Sequence, residues 1–181
     1  MQGLVNFADQ CAVVLAVLLP AFCYCAAIGW FLFGAWGLWQ QSQPHNPFRG
    51  KPWVPILSIV LSGVASAFDT ILTKANASAG SSVTVGMAGD ITSYTTSTVS
   101  TTLLGSTPGD AIVNITAIFA LFFQCFGAWC CFLALMSWRA TVNGHSNRSR
   151  LGCCVQFVFG VILINPTTVV QWLVTQLSLQ T

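Results

Sequence analysis

"CAVVLAVLLPAFCYCAAIGWFLFGAWGLWQ", residues 11–40, runs for thirty positions without Asp, Glu, Lys, Arg or His. About 20 apolar residues of helix cross a hydrocarbon core of roughly 30 Å, so this stretch alone is long enough to span a bilayer. The ion-free region extends from Gln10 to Phe48, and two more follow from Ala111 to Trp138 and from Leu151 to Thr181. Over 181 residues only 6% are charged, 55% are hydrophobic, Glu is absent and the mean hydropathy is +0.74. Soluble domains carry about 25% charged residues, which excludes water as the main solvent of this chain.

Within lipid every backbone polar group must be paired internally, leaving helices or closed barrels. The long apolar runs lack the alternation of a barrel strand. A less pure span, "WVPILSIVLSGVASAFDTIL" (Trp53 to Leu72), carries Asp69 near its end, where a carboxylate is tolerable beside headgroups. Its basic start and Ala65-Ser66-Ala67 ending imitate a secretory signal, but it follows another apolar run and reads as an uncleaved span. The expected fold is therefore an all-α integral membrane protein of four apolar helices arranged as two hairpins. Residues 1–72 form the first hairpin, with a basic turn at 41–52, and residues 111–181 the second, with a basic turn at 139–151. Between them lies a polar extracytoplasmic segment, 73–110.

Charge placement gives this layout an orientation. Arg49 and Lys51 fall in the first turn, and Arg139, Arg148 and Arg150 in the second, so five of the six basic residues share one side. Basic residues near transmembrane ends stay in the cytoplasm. Both turns are expected there, with both termini and the centre on the outer side.

Several features punctuate the runs. Pro20 is expected to divide the first, leaving Leu4 to Leu19 tilted or interfacial while Ala21 to Trp39 crosses. Asn165-Pro166 removes a backbone donor and predicts a kink in the last run, although discontinuous helices also mark ion sites in transporters. The central segment is rich in Ser, Thr, Gly and Ala. "SSVTVGM" and "ITSYTTSTV" flank Ala88-Gly89-Asp90, so a small β-hairpin and a flexible Ser/Thr-rich loop both remain open. Asp110, in "TPGD", is expected to cap the third helix.

"FGAW" occurs twice, at Phe33–Trp36 and Phe126–Trp129, each time ahead of a basic turn. Gly34 and Gly127 would permit close helix approach, and Trp36 and Trp129 would settle at an interface or a tight contact. The echo raises the duplication of an ancestral hairpin.

Catalytic and metal chemistry find no foothold in the pattern. The eight cysteines lack the C-x₂-C spacing of metal sites and read as small packing residues, with a disulfide from Cys11 to another outer cysteine left open. His45 and His145 are distant in sequence from any Asp on their side, so no catalytic residue, metal ligand or cofactor-binding residue is assigned. "NAS" at Asn76 and "NRS" at Asn147 match the glycosylation pattern.

A small charge-poor polytopic chain with "FGAW" before each basic turn resembles the TraQ and IcmC/DotE group of type IVB conjugation and secretion systems. Each half also resembles a VirB2-type conjugative pilin, with two apolar helices, outer ends and a basic turn; this chain differs in having two hairpins. The resemblance implies a non-catalytic structural subunit of a bacterial DNA-transfer apparatus, in the inner membrane or assembled into an extracellular pilus. It implies self-association, partnership with other conjugation or secretion components, contact with membrane lipid, bound phospholipid, and single-stranded DNA passing without sequence specificity. Arg49, Lys51, Arg139, Arg148 and Arg150 would then face lipid headgroups or a lumen, since neutralising phosphates needs only accessible Lys and Arg. The competing class is a small four-helix transporter or channel using Asp69 and Asn165-Pro166, for which few mid-span polar residues are available beyond Asn114, Gln124, Gln156 and Asn165.

Overall fold

The computed structural model describes residues 2–44, 51–81, 83–86 and 108–177. Among these the only regular structure is helical: α1 (Gln2–Gln41), α2 (Trp53–Ser66), α3 (Phe68–Ser78), α4 (Pro108–Ile118), α5 (Ala120–Val142), α6 (Arg150–Ile164) and α7 (Pro166–Gln176). Two of them, α1 from Gly3 to Gln41 and α5, are each long and apolar enough to cross a membrane.

α1 is a single helix of 40 residues, about 60 Å at 1.5 Å per residue. Its buried positions, Val5, Ala8, Ala12, Leu19, Cys23, Ala27 and Trp30, recur every three or four residues or at multiples of that step and make one seam. The rest of its surface is apolar and outward: Leu4, Phe7, Val13, Val17, Ile28 and Leu32 are each more than half exposed. Such a surface suits lipid and not water. Pro20 does not divide this helix, contrary to expectation. A proline removes the donor for the carbonyl four residues back, here Ala16. One residue before that carbonyl, the indole Nε1 of Trp129 donates to the Leu15 carbonyl at 3.0 Å, so α5 is fastened to the turn that precedes the proline.

Each long helix folds back on a shorter one, α1 on α2 and α5 on α6. Both shorter helices then break. Between α2 and α3, at Ala67, the chain turns by 74°, so Trp53 to Leu72 is not one straight span. Between α6 and α7, at Asn165, it turns by 86°, a reorientation far larger than the kink expected from Asn165-Pro166. If each bent pair counts as one crossing, the candidate spans number up to four. The third apolar run is also interrupted, between α4 and α5 at Phe119. Asp110 lies within the first turn of α4, not ahead of it.

The hairpins lie side by side with α1 and α5 parallel. Ala12 packs with Cys125, Leu15 meets Trp129, and Trp30 meets Arg139. The main core gathers Leu19 and Cys23 of α1, Phe68 and Leu72 of α3, Ala128, Cys131 and Phe132 of α5, and Val161 and Ile164 of α6. Phe132 presents its ring edge-on to Phe68 and Trp129. Residues 83–86 extend across this core, with Val85 buried in it, and they form no strand. Most of the alternative hairpin or loop expected in 73–110 falls on residues 87–107, outside the described residues, as does position 82.

Candidate functional site

The basic end of the bundle is the first candidate. Gln41 Nε2 donates to the Pro52 carbonyl at 2.8 Å, closing the ends of α1 and α2. α5 closes through Gly144, whose φ of +78° favours glycine. The Lys51 ammonium lies 3.9 Å from the point where a Gly144 Cβ would stand, so the two turns are neighbours. Arg49 and His45 are outside the described residues.

Of the three arginines expected in a turn at 139–151, only Arg148 lies between the helices: Arg139 stands in the last turn of α5 and Arg150 opens α6, and their environments differ. Arg139 is half-buried and reaches back onto α1, its guanidinium carbon 5.1 Å from the ring centres of both Trp30 and Phe33. Its Nε is buried without a hydrogen-bond partner. Arg148 is exposed but tethered, with Nη1 3.1 Å from Gln156 Oε1 and 3.4 Å from Ser137 Oγ. Arg150 is exposed at the first position of α6. A cation at a helix N-terminus opposes the macrodipole by a few tenths of a kcal/mol, so Arg150 is not placed there for helix stability. The N-cap of α6 is Ser149, whose hydroxyl accepts from the Gly152 N–H at 3.0 Å.

The "FGAW" glycines occupy matching places. A Cβ at Gly34 would stand 2.9 Å from the Pro55 carbonyl oxygen and 2.6 Å from Ile59 Cγ1. A Cβ at Gly127 would stand 2.7 Å from the Gly160 carbonyl oxygen and 2.9 Å from Ile164 N. Each glycine thus faces two residues four apart on its partner helix, the second an isoleucine. Gly160 closes on α5 in return, against Cys131 Sγ and the Gly127 carbonyl. The tryptophans do not match. Trp129 hydrogen-bonds Leu15 and stands edge-on to Phe22 at 5.4 Å, whereas Trp36 is 51% exposed.

A second candidate lies where the two bent helices meet. Asn76, in the last turn of α3, is wholly buried, and Asn165, between α6 and α7, is 5% exposed. Asn165 Nδ2 donates to Asn76 Oδ1 at 3.1 Å and to the Val161 carbonyl at 3.2 Å. Asn76 Nδ2 in turn reaches the Val83 carbonyl at 3.4 Å. Asn165 Oδ1 is buried with no partner. Being enclosed, Asn76 offers no access for glycosylation in this fold, while Asn147 is exposed. Gln124, in α5, also has a buried Oε1 without a partner.

Asp69 accepts from its neighbour Thr70 N–H and does not join the Asn pair. The eight cysteines are free thiols, Cys11 among them. Cys131 Sγ donates to the Phe157 carbonyl at 3.4 Å across the α5–α6 contact. No group of three or more His, Cys, Asp or Glu gathers for a metal among the described residues.

Sequence reasoning missed the Arg139–Trp30–Phe33 stack, the Asn76–Asn165 bond and the break at Ala67. The first two join residues about 90 or more positions apart and leave no local pattern. The third carries neither Gly nor Pro at the bend; its only local signal is the Asp69-Thr70 pair opening α3. No family profile, no curated protein and no solved structure matches this chain.

Proposed function

We propose that this protein is a non-catalytic structural subunit of a bacterial conjugative, type IVB-like DNA-transfer apparatus, embedded in the inner membrane as two hairpins fused in one chain. The observation that carries this reading is the parallel pairing of the hairpins, which gathers the basic ends at one face of an otherwise apolar bundle. α2 and α6 rise only about 21 and 22 Å, so each return crossing is completed through the bend. α3 and α7 then lie near the outer interface, where Asp69, Lys74, Gln171 and Thr175 meet headgroups. The outward apolar faces of α1 and α6 would contact lipid or further copies of the chain, and the exposed Arg148 and Arg150, with Lys51, would face headgroup phosphates or a lumen. Bound phospholipid and passage of single-stranded DNA belong to the same proposal.

The test has two parts. Alkaline-phosphatase fusions after Ser81 should be active and fusions after Gly144 inactive; the reverse would overturn the topology. Deleting the gene from a conjugative donor should abolish transfer, and undiminished transfer would overturn the assembly role. The bent helix pairs favour a second reading, a small transporter, which requires solute flux in proteoliposomes holding this chain alone. The structural reading expects none.

A further inference from the structure

We propose that residues 83–86 are a latch: the seating of this strap on α3 and the bend that turns α6 into α7 open and close as one unit. The inference does not rest on the assembly role proposed above. The strap runs back along α3, and two side chains of the helix hold its backbone. Thr73 Oγ1 accepts from the Val85 N–H at 3.0 Å and donates to the Val85 carbonyl at 3.3 Å. One turn on, Asn76 Nδ2 donates to the Val83 carbonyl at 3.4 Å. Val85 is buried in the core that holds Phe68, Leu72 and Ile164. Gly80, with a φ of +80°, makes the reversal, and the Ser81 N–H closes on the Asn76 carbonyl while the Gly80 N–H closes on that of Ala77.

Asn76 joins the strap to the bend. Its nitrogen serves Val83, and its oxygen accepts from Asn165 Nδ2 at 3.1 Å, which also reaches the Val161 carbonyl. The carbonyls at the two ends of this relay can only accept, so both amides have one orientation. Turning Asn76 over would set its oxygen against the Val83 carbonyl and its nitrogen against the Asn165 nitrogen. A seated strap therefore presents the Asn76 oxygen to the bend, and the bend in turn supplies the donor that keeps Asn76 facing the strap. When the strap lifts, the Asn76 amide is released to rotate and meet water, and Asn165 loses its fixed acceptor. Ile164 loses Val85 from its cluster in the same step. A polar and an apolar route thus connect the same two elements.

Opening begins here because few buried contacts hold this region. The strap makes no backbone–backbone hydrogen bond among the described residues, and Val85 is its one buried side chain. Along the hairpins, by contrast, Gly34 and Gly127 approach partner backbone too closely for a Cβ. Those contacts stay closed when the latch opens.

The test is amide hydrogen exchange of the purified full-length chain in nanodiscs. Thr73→Val keeps the shape of the side chain and removes both bonds to Val85, and should speed exchange of the Val85 amide about tenfold. The Asn165 and Val169 amides, bonded to the Ile162 and Asn165 carbonyls, should speed up by a similar factor. The Asn143 and His145 amides beyond α5 should keep their wild-type rates. Coupling is equal in both directions, so Asn165→Ala should speed the Val85 amide in return; Thr73→Val decides alone if that variant does not fold. Faster exchange confined to the strap in Thr73→Val, or an unchanged Val85 amide in a folded Asn165→Ala protein, would overturn the latch. Equal acceleration reaching Asn143 and His145 would overturn it too, since the whole bundle would then be opening.

Discussion

Replacing Gly127 by alanine adds one methyl group at the tightest place between α5 and α6. Its Cβ would stand 2.7 Å from the Gly160 carbonyl oxygen, where ordinary contact starts at 3.4 Å, a shortfall of 3.4 − 2.7 = 0.7 Å. The two nearest atoms are backbone, so the clash is relieved only by moving α6 away. Overpacking of this kind costs about 1–3 kcal/mol, and the better helix propensity of alanine returns up to about 1 kcal/mol. A net loss of about 1–2 kcal/mol corresponds to a midpoint lower by about 4 °C in a chain of this size. Gly34→Ala should cost less, because its closest neighbour is the movable Ile59 side chain. Gly29 is the control: nothing lies within 4 Å of its missing Cβ, so Gly29→Ala should leave the midpoint unchanged or slightly raised. Thermal melts of the purified variants in one detergent decide the matter. A Gly127→Ala protein that melts with the wild type, or a Gly29→Ala protein that falls equally, would refute the account of glycine-mediated approach.

Trp129→Phe keeps an aromatic ring near Phe22 and Phe132 but loses the N–H to Leu15, and should lower the same midpoint by about 2–4 °C. Trp30→Leu should weaken the seat of Arg139 by about 0.5–2 kcal/mol; in an Arg139→Gln background the same change should cost measurably less, and a cycle without coupling would mean the stack contributes nothing. Arg139 is therefore a poor probe of phosphate contact, and Arg148 and Arg150 are the informative pair. On the proposed assembly role, changing both to Gln should reduce conjugative transfer, and changing both to Lys should reduce it partly, since the planar fork is lost while charge remains. Full transfer by a correctly oriented double Gln variant would confine their role to topology.

The apolar character and helical class were legible because composition and run length directly reflect the solvent of the chain. Bend positions were legible only in part. Asn165-Pro166 announced an interruption, but its 86° turn depends on α7 finding α4 to pack against. Pro20 announced a break that did not occur; α1 runs through it, and the packing that holds it, including the Trp129 bond to Leu15 from more than a hundred positions away, leaves no local pattern. Ala67 announced nothing. At the basic end, local spacing put Lys51 and Arg148 in turns, but it extended the second turn over Arg139, which lies within α5, and held no information on its reaching back to Trp30 and Phe33. The repeated "FGAW" suggested close approach at its glycines, yet the partners Pro55 and Gly160 have no common identity that a single sequence could match.

The contacts of the two halves differ in when they can first exist. Gly34 meets Pro55 within a short length of chain, so the first hairpin can close while the ribosome is still translating the central segment. The indole that Leu15 receives is 114 residues further on, and the Asn76–Asn165 bond spans 89. Until those residues are made, the first hairpin must persist with its docking face, Phe22, Trp30 and Phe33, turned toward lipid. Hairpin closure is therefore early and local, docking is late, and the amide pair is among the last native contacts to form. A nascent chain stalled before α5 should already hold Gly34 against Pro55, with the surface that α5 will cover still accessible to a lipid-phase label.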